Sequence, residues 1–178
     1  MGQRDSFQDV MSRILPSSKE YKPGVTHSDD ERQGYGAKRK GRVHGGVDMN
    51  YHTASGRPIG QKGVNKEHPP VGAPVSGTVT DANKDTGTVE ITDSQGFRHR
   101  ILHLHKIDVK EGDRVVAGQH IGKMGGRGAT GENQHPQHVH YGITLPKGSK
   151  NSKDSSTDPE EFWNRYSGNG QPLLNARP

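Results

Sequence analysis

The chain is 178 residues long, enough for one compact domain with extensions, and it contains no cysteine, which excludes disulfide frameworks and thiolate metal sites. Hydrophobic residues make up only 26% and the mean hydropathy is -1.04, while 25 glycines and 11 prolines punctuate the rest; a large helical core is excluded in favour of short strands and long loops. The net charge of +5 would admit a polyanionic partner, yet Lys and Arg are spread from Arg4 to Arg177, cluster only at Lys38, Arg39 and Lys40, and do not alternate with aromatic residues, so the basic balance reads as a solvated surface and no nucleic-acid partner is expected.

Residues 1–40 form a polar N-terminal extension in which Pro16, Pro23, Gly24, Gly34 and Gly36 break any long element. Within it Phe7, Val10, Met11, Ile14 and Leu15 have helical spacing and predict one short amphipathic helix. The opening stretch MGQRDSFQDVMSRILPSS is polar throughout, and no run in the chain is apolar enough for a signal peptide or a membrane span. The main domain is expected over 41–148.

HGGVD, from His44 to Asp48, places an imidazole and a carboxylate four residues apart. Gly45 and Gly46 argue against a helix, so the motif reads as a strand end or tight loop whose glycines let both side chains converge on one ion. From Val71 onward short β-type runs alternate with turn residues: Ala73–Ala82, Gly87–Asp93, Phe97–His105, Asp113–Met124 and His138–Leu145. Hairpin turns are expected at Asn83–Gly87 and Asp93–Gly96. The fold class that follows is all-β, a mainly antiparallel and sandwich-like sheet structure with long loops and short peripheral helices.

Two of these runs carry histidines. In FRHRILHLH, His99, His103 and His105 share one parity and hence one face if the strand is unbroken, and periodicity does not choose among them; His99, nearest the preceding turn, is expected at the surface. In HVHYGI, His138 and His140 project to the same face, about 6.5 to 7 Å apart along a strand. Downstream, GSKNSKDSST reads as a linker, and DPEEFWNRY as a short helix with Asp158 as N-cap and Pro159 in the first turn, anchored by Phe162, Trp163 and Tyr166. Residues 149–178 are thus linker, short helix and, from Gly168, an unstructured tail.

Taken in chain order, HGGVD, His103-Leu104 and HVH resemble the His-x-Gly-x-Asp, His-Leu and His-x-His signatures of the lysostaphin-like, LytM-type zinc metallo-endopeptidases, which cut peptidoglycan cross-links. The resemblance spans Val43 to Leu145: APVSGTV is similar to the family's strand after the first motif, and VKEGDRVVAGQHIGKMGGRGATG to its glycine-punctuated stretch before His-x-His. It implies that His44, Asp48 and His140 bind Zn²⁺ and that His103 and His138 are the catalytic histidines, the offset to Gly112-Asp113 selecting His103 over His105. The implied chemistry has a physical basis. Two neutral imidazoles and one carboxylate leave a zinc site net positive, able to bring the pKa of a bound water to about 7, and a nearby imidazole with an ordinary pKa of about 6.5 can move its proton.

The resemblance has three departures. Ile101 stands where the family commonly has an aromatic residue, HPQ (His135–Gln137) replaces a Gly-Pro-His lead, and Tyr51–Pro70, with His52 and His68, forms an insertion. His52, His68, His120 and His135 are expected as surface or loop histidines, His135 nearest the cleft. Gly125, Gly126, Gly128 and Gly131 permit tight turns, and in this family such loops wall a narrow groove.

The implied activity is zinc-dependent hydrolysis of peptidoglycan peptide cross-links or stems, in the periplasm or extracellular cell wall. The chain would be delivered as a phage tail component, a secreted effector or a piece of a larger exported protein. Two other readings compete. A catalytically inactive family member would act as a wall-binding or hydrolase-activating scaffold, but all five expected His and Asp positions are present. A biotinyl- or lipoyl-type carrier would share the VKEGDRVVAGQHIG half-motif, but Lys123-Met124 lacks the carrier setting. The N-terminal segment is a candidate inhibitory arm over the groove.

Overall fold

The computed structural model describes residues 5–26, 34–53, 55, 68–149 and 156–165. Most of the Tyr51–Pro70 insertion, the linker at 150–155, Tyr166 and the tail from Gly168 lie outside these residues. Helix α1 (Phe7–Ile14) starts on a capping box: Ser6 Oγ accepts from the Asp9 amide at 3.1 Å, and the Asp9 carboxylate accepts from the Ser6 amide at 2.7 Å. Its helical spacing then lays Val10, Met11 and Ile14, followed by Leu15, into the core. Each such buried aliphatic side chain contributes about 1.5 to 3 kcal/mol of transfer free energy, which holds a helix too short to stand alone.

The main sheet is antiparallel throughout. Its order is β1 (Tyr21–Val25), β4 (Val47–Thr53), β12 (Val139–Thr144), β8 (Arg98–Leu102), β7 (Thr88–Thr92), β6 (Gly77–Asn83) and β10 (Arg114–Val115), with β13 (Ser156–Thr157) pairing the end of β12. A second sheet of β5 (Pro70–Gly72), β11 (His120–Met124) and β9 (Leu104–Ile107) shares its core, in which Val71, Leu104, Ile121 and Met124 join Val79, Ile91, Ile101 and Tyr141 in one cluster. A separate hairpin, β2 (Lys38–Arg39) and β3 (Arg42–Val43), precedes HGGVD. The all-β, mainly antiparallel expectation thus matches the architecture. Helix α2 (Pro159–Arg165) closes one end, with Phe162 and Trp163 buried. Among the described residues no helix is long and apolar enough to cross a membrane.

Alternation along the central strands separates core from cleft. Val47, Met49 and Tyr51 of β4 and Val139, Tyr141 and Ile143 of β12 turn into the core, so Asp48 and His140 have the opposite parity. The register pairs His140 with Asp48 on one side and with Leu102 on the other, which lines these three positions up across β4, β12 and β8. Side chains directly opposite in such a ladder stand about 5 Å apart at Cβ, so pairing alone brings the carboxylate and the imidazole together.

One expectation is corrected here. His99 is not a surface residue: it has no exposed area and shares its face of β8 with the core residue Ile101. Its ring is fully partnered, with Nε2 donating to Asp93 Oδ2 at 3.0 Å and Nδ1 accepting from the Tyr141 hydroxyl at 2.8 Å, while the Trp163 indole N–H donates to that hydroxyl at 3.2 Å. The relay gives every one of these buried polar groups a partner.

Candidate metal centre

His44, Asp48 and His140 meet in a cleft of about 340 Å³. His44 Nε2 is 2.9 Å from His140 Nδ1 and 3.2 Å from Asp48 Oδ1, and His140 Nδ1 is 3.0 Å from the same oxygen. Zn–N and Zn–O distances of about 2.0 to 2.2 Å put tetrahedral ligands about 3.3 Å apart, so this triangle of donor atoms has the size a zinc ion requires, and its chemistry of two imidazoles and one carboxylate suits zinc with one position left over. His44 and Asp48 are buried and His140 is nearly so. Burial alone would raise the Asp48 carboxyl, but hydrogen bonds with His138, His140 and His44 outweigh it and hold the group ionised well below the usual carboxylate range. His140 is pushed down, first by burial, with Asp48 opposing that shift.

HGGVD does what its composition requires. His44 lies in the loop just before β4, and Gly46 lets β12 come close: a Cβ there would stand 2.4 Å from the Tyr141 carbonyl oxygen and 2.6 Å from His140 Nε2. Gly45 faces open space by comparison, its nearest neighbour being Ser156 Oγ at 3.8 Å. The far side of the His44 ring donates from Nδ1 to the Gly34 carbonyl at 3.0 Å, which leaves Nε2 with its lone pair in the triangle.

His103 reaches the same cleft by breaking its strand. With φ at +72° it ends the alternation of β8 before β9 begins, so the face shared by His99 and Ile101 is not the one His103 joins, and the condition of an unbroken strand fails. Its Nδ1 donates to the Arg127 carbonyl at 2.8 Å, leaving Nε2 as an acceptor. Burial, then the neighbouring His138, pushes this imidazole down to about 3, so it is neutral at neutral pH. His138 is oriented in the same way, through Nδ1 to the Pro136 carbonyl at 2.6 Å, with Nε2 3.5 Å from Asp48 Oδ1. The rings of His103 and His138 are 4.7 Å apart.

The structure therefore brings all five sequence-identified positions into one cleft and adds residues the sequence had left aside. His135 lies 4.5 Å from His103, ring to ring, and lines the cleft. Arg39 donates to Asp48 Oδ2 at 3.1 Å. His105 turns away to stack on His68 at 3.6 Å and to touch Glu132, forming a second group of potential metal donors that is half exposed. The approach of His135 to the cleft is as its neighbours in sequence suggested, whereas no local signal distinguished Arg39 or the group around His105, whose partners are set by the tertiary structure.

The model of peptidase family M23 matches residues 42–155, and the chain belongs to that family. Among solved structures, the catalytic domain of the antimicrobial peptidase lysostaphin from Staphylococcus simulans is similar at 28% identity and a TM-score of 0.53, with 81% of this chain and 92% of that one covered. A zinc-containing peptidase from Vibrio cholerae shares the fold at 22% identity and a TM-score of 0.53, over 89% of this chain; the present chain spans 40% of its length. Lysostaphin from Staphylococcus simulans in a longer form gives 24% identity and a TM-score of 0.53, over 98% of this chain and 60% of that one. A search of the curated proteins found no match. The chain is thus a member of a peptidase family with a lysostaphin-like, LytM-type fold.

Proposed function

We propose that this peptidase is zinc-dependent and hydrolyses peptide cross-links or stem peptides of bacterial peptidoglycan, acting in the periplasm or extracellular wall, with residues 41–148 as its catalytic unit. His44, Asp48 and His140 hold the Zn²⁺, and His103 and His138 are the catalytic histidines. The observation that carries this reading is the donor triangle, with sides of 2.9 to 3.2 Å, sharing a cleft with two imidazoles that each use Nδ1 on a backbone carbonyl. Zinc held there supplies Lewis acidity, polarising a peptide carbonyl and acidifying water.

The protein residues do the rest. His103 and His138, both oriented through Nδ1, present Nε2 to the cleft, where between them they accept the proton of the attacking water, pass one to the leaving amine and hydrogen-bond the developing oxyanion. Asp48 anchors the arrangement, since its two oxygens hold partners on both sides: Oδ1 faces His44, His138 and His140, and Oδ2 faces Arg39. The similar lysostaphin domain is an antimicrobial peptidase and the similar Vibrio cholerae peptidase contains zinc, which supports zinc and peptidase chemistry for this site.

The test is digestion of defined sacculi by zinc-loaded protein, with mass analysis of the muropeptides released. His103→Ala is expected to lower turnover by about 10² to 10⁴-fold while zinc content stays stoichiometric. Asp48→Ala is expected to lose both zinc and activity. Intact sacculi after exposure to stoichiometric zinc-loaded protein would remove the proposal.

A further inference from the structure

The basic cluster at Lys38, Arg39 and Lys40 reads from the sequence as solvated surface, yet the fold carries it to the cleft, where Arg39 is so far accounted for only by its bond to Asp48. Strands β2 and β3 form a hairpin around Lys40 and Gly41, the latter at φ +74°, and their register sets Arg39 directly opposite Arg42. Both arginines line the cleft that holds His44, Asp48 and His140. The hairpin is tied to the site by two backbone bonds, His44 N–H to the Ala37 carbonyl and Gly36 N–H to the His44 carbonyl, each 2.9 Å. Like charges directly opposite across a strand pair destabilise it unless an anion answers them. Asp48 is the one carboxylate among the described lining residues, and it takes a single hydrogen bond from Arg39. Arg42 has no carboxylate partner among the described residues, and a guanidinium offers five N–H donors, so most of the donor capacity of the pair is unspent.

Resting on the peptidase reading, we infer that Arg39 and Arg42 form a carboxylate-binding subsite beside the scissile bond, so that the substrate is a peptide bearing a free carboxylate and not a neutral bridge. Two guanidiniums one ladder step apart match the planar, two-oxygen geometry of a carboxylate, which they can hold by bidentate, charge-assisted bonds. The field of the hairpin reaches across the cleft: His135 is pushed below its ordinary range first by burial, then by His138 and Arg42, with Arg39 adding to the same effect. A carboxylate bound at the hairpin relieves the repulsion between the guanidiniums and fixes the register of the peptide along the cleft.

The experiment measures binding, by fluorescence anisotropy, of a labelled peptidoglycan stem tetrapeptide to the zinc-loaded full chain carrying His103→Ala to slow turnover. The peptide is used with its carboxylates free, amidated at the C-terminus only, amidated at the internal carboxylate only, or amidated at both. The doubly amidated peptide is expected to bind about tenfold to a hundredfold more weakly, the range for charge-assisted bonds, and the two singly amidated peptides identify which carboxylate is read. Adding Arg42→Gln should abolish the difference, and Arg42→Lys should retain part of it. On the unsubstituted hairpin, raising salt from about 50 to about 500 mM should shrink the difference, because the subsite is at the rim. Equal affinity for the free and doubly amidated peptides overturns the inference, as does a difference that survives Arg42→Gln. Undigested sacculi alongside an intact difference in binding would remove the peptidase reading and leave the subsite standing.

Discussion

At the scale of single residues, Gly46 is the position where sequence and site meet most tightly. Its neighbour in HGGVD is equally glycine, but only Gly46 lies where a Cβ would collide with His140 Nε2 and the Tyr141 carbonyl. Gly46→Ala is therefore expected to weaken zinc binding by tenfold or more, a loss of about 1.4 kcal/mol or greater, whereas Gly45→Ala should leave it nearly intact. Zinc titration of the two variants checks this, and equal affinities would show that the close approach is unimportant. His99 makes the second residue-scale case. Removing it leaves a cavity and strips partners from the Tyr141 hydroxyl and the Asp93 carboxylate, so His99→Ala should cost about 2 to 4 kcal/mol in urea unfolding without changing zinc stoichiometry. Neither position could be sorted by inspection of the motif. Two glycines look alike until the opposing strand is placed, and a histidine near a turn looks exposed until the other half of its relay arrives from β12 and α2.

At the scale of elements, residues 5–26 are built into the domain. Helix α1 buries Val10, Met11 and Ile14, β1 pairs with β4 from Met49 to Thr53, and no residue of 5–26 lines the cleft. Deleting residues 1–26 should therefore expose the core and the edge of the strand that carries Asp48. The expected outcome is loss of the cooperative thermal transition and of digestion together; a folded, more active truncation would restore the inhibitory-arm reading. Strands β7 and β12 were legible because each buries one face and alternates: β7 keeps Val89 and Ile91 inside, and β12 keeps Val139, Tyr141 and Ile143 inside. Strands β1, β5 and β13 carry no such pattern, being short or containing proline and glycine, and they form because a neighbouring edge offers hydrogen bonds. His103 shows the same limit: alternation predicts it on the face of Ile101, and a single left-handed residue re-aims it to the cleft.

For the whole molecule, the proposed ion would tie the loop before β4 to β4 and β12, at the centre of the main sheet. Zinc at about a thousand times its dissociation constant should add about 4 kcal/mol, which for a chain of this size raises the melting temperature by about 8 to 16 °C. Differential scanning calorimetry with and without a chelator measures the shift; an unchanged transition, or one that Asp48→Ala still shows, would contradict a structural zinc link. The sequence by itself determined the β class, because alternation is written locally in residue type and spacing, and its short motifs, through their resemblance to the LytM-type family, named five candidate positions in order. Only the tertiary structure decided how His103 leaves the face of its like-parity neighbours to enter the cleft, that His99 is core, and that a basic cluster read as solvated surface supplies Arg39 to Asp48. Those outcomes depend on strand register and on one backbone dihedral angle, which arise when segments about ninety residues apart pair, as Asp48 and His140 do.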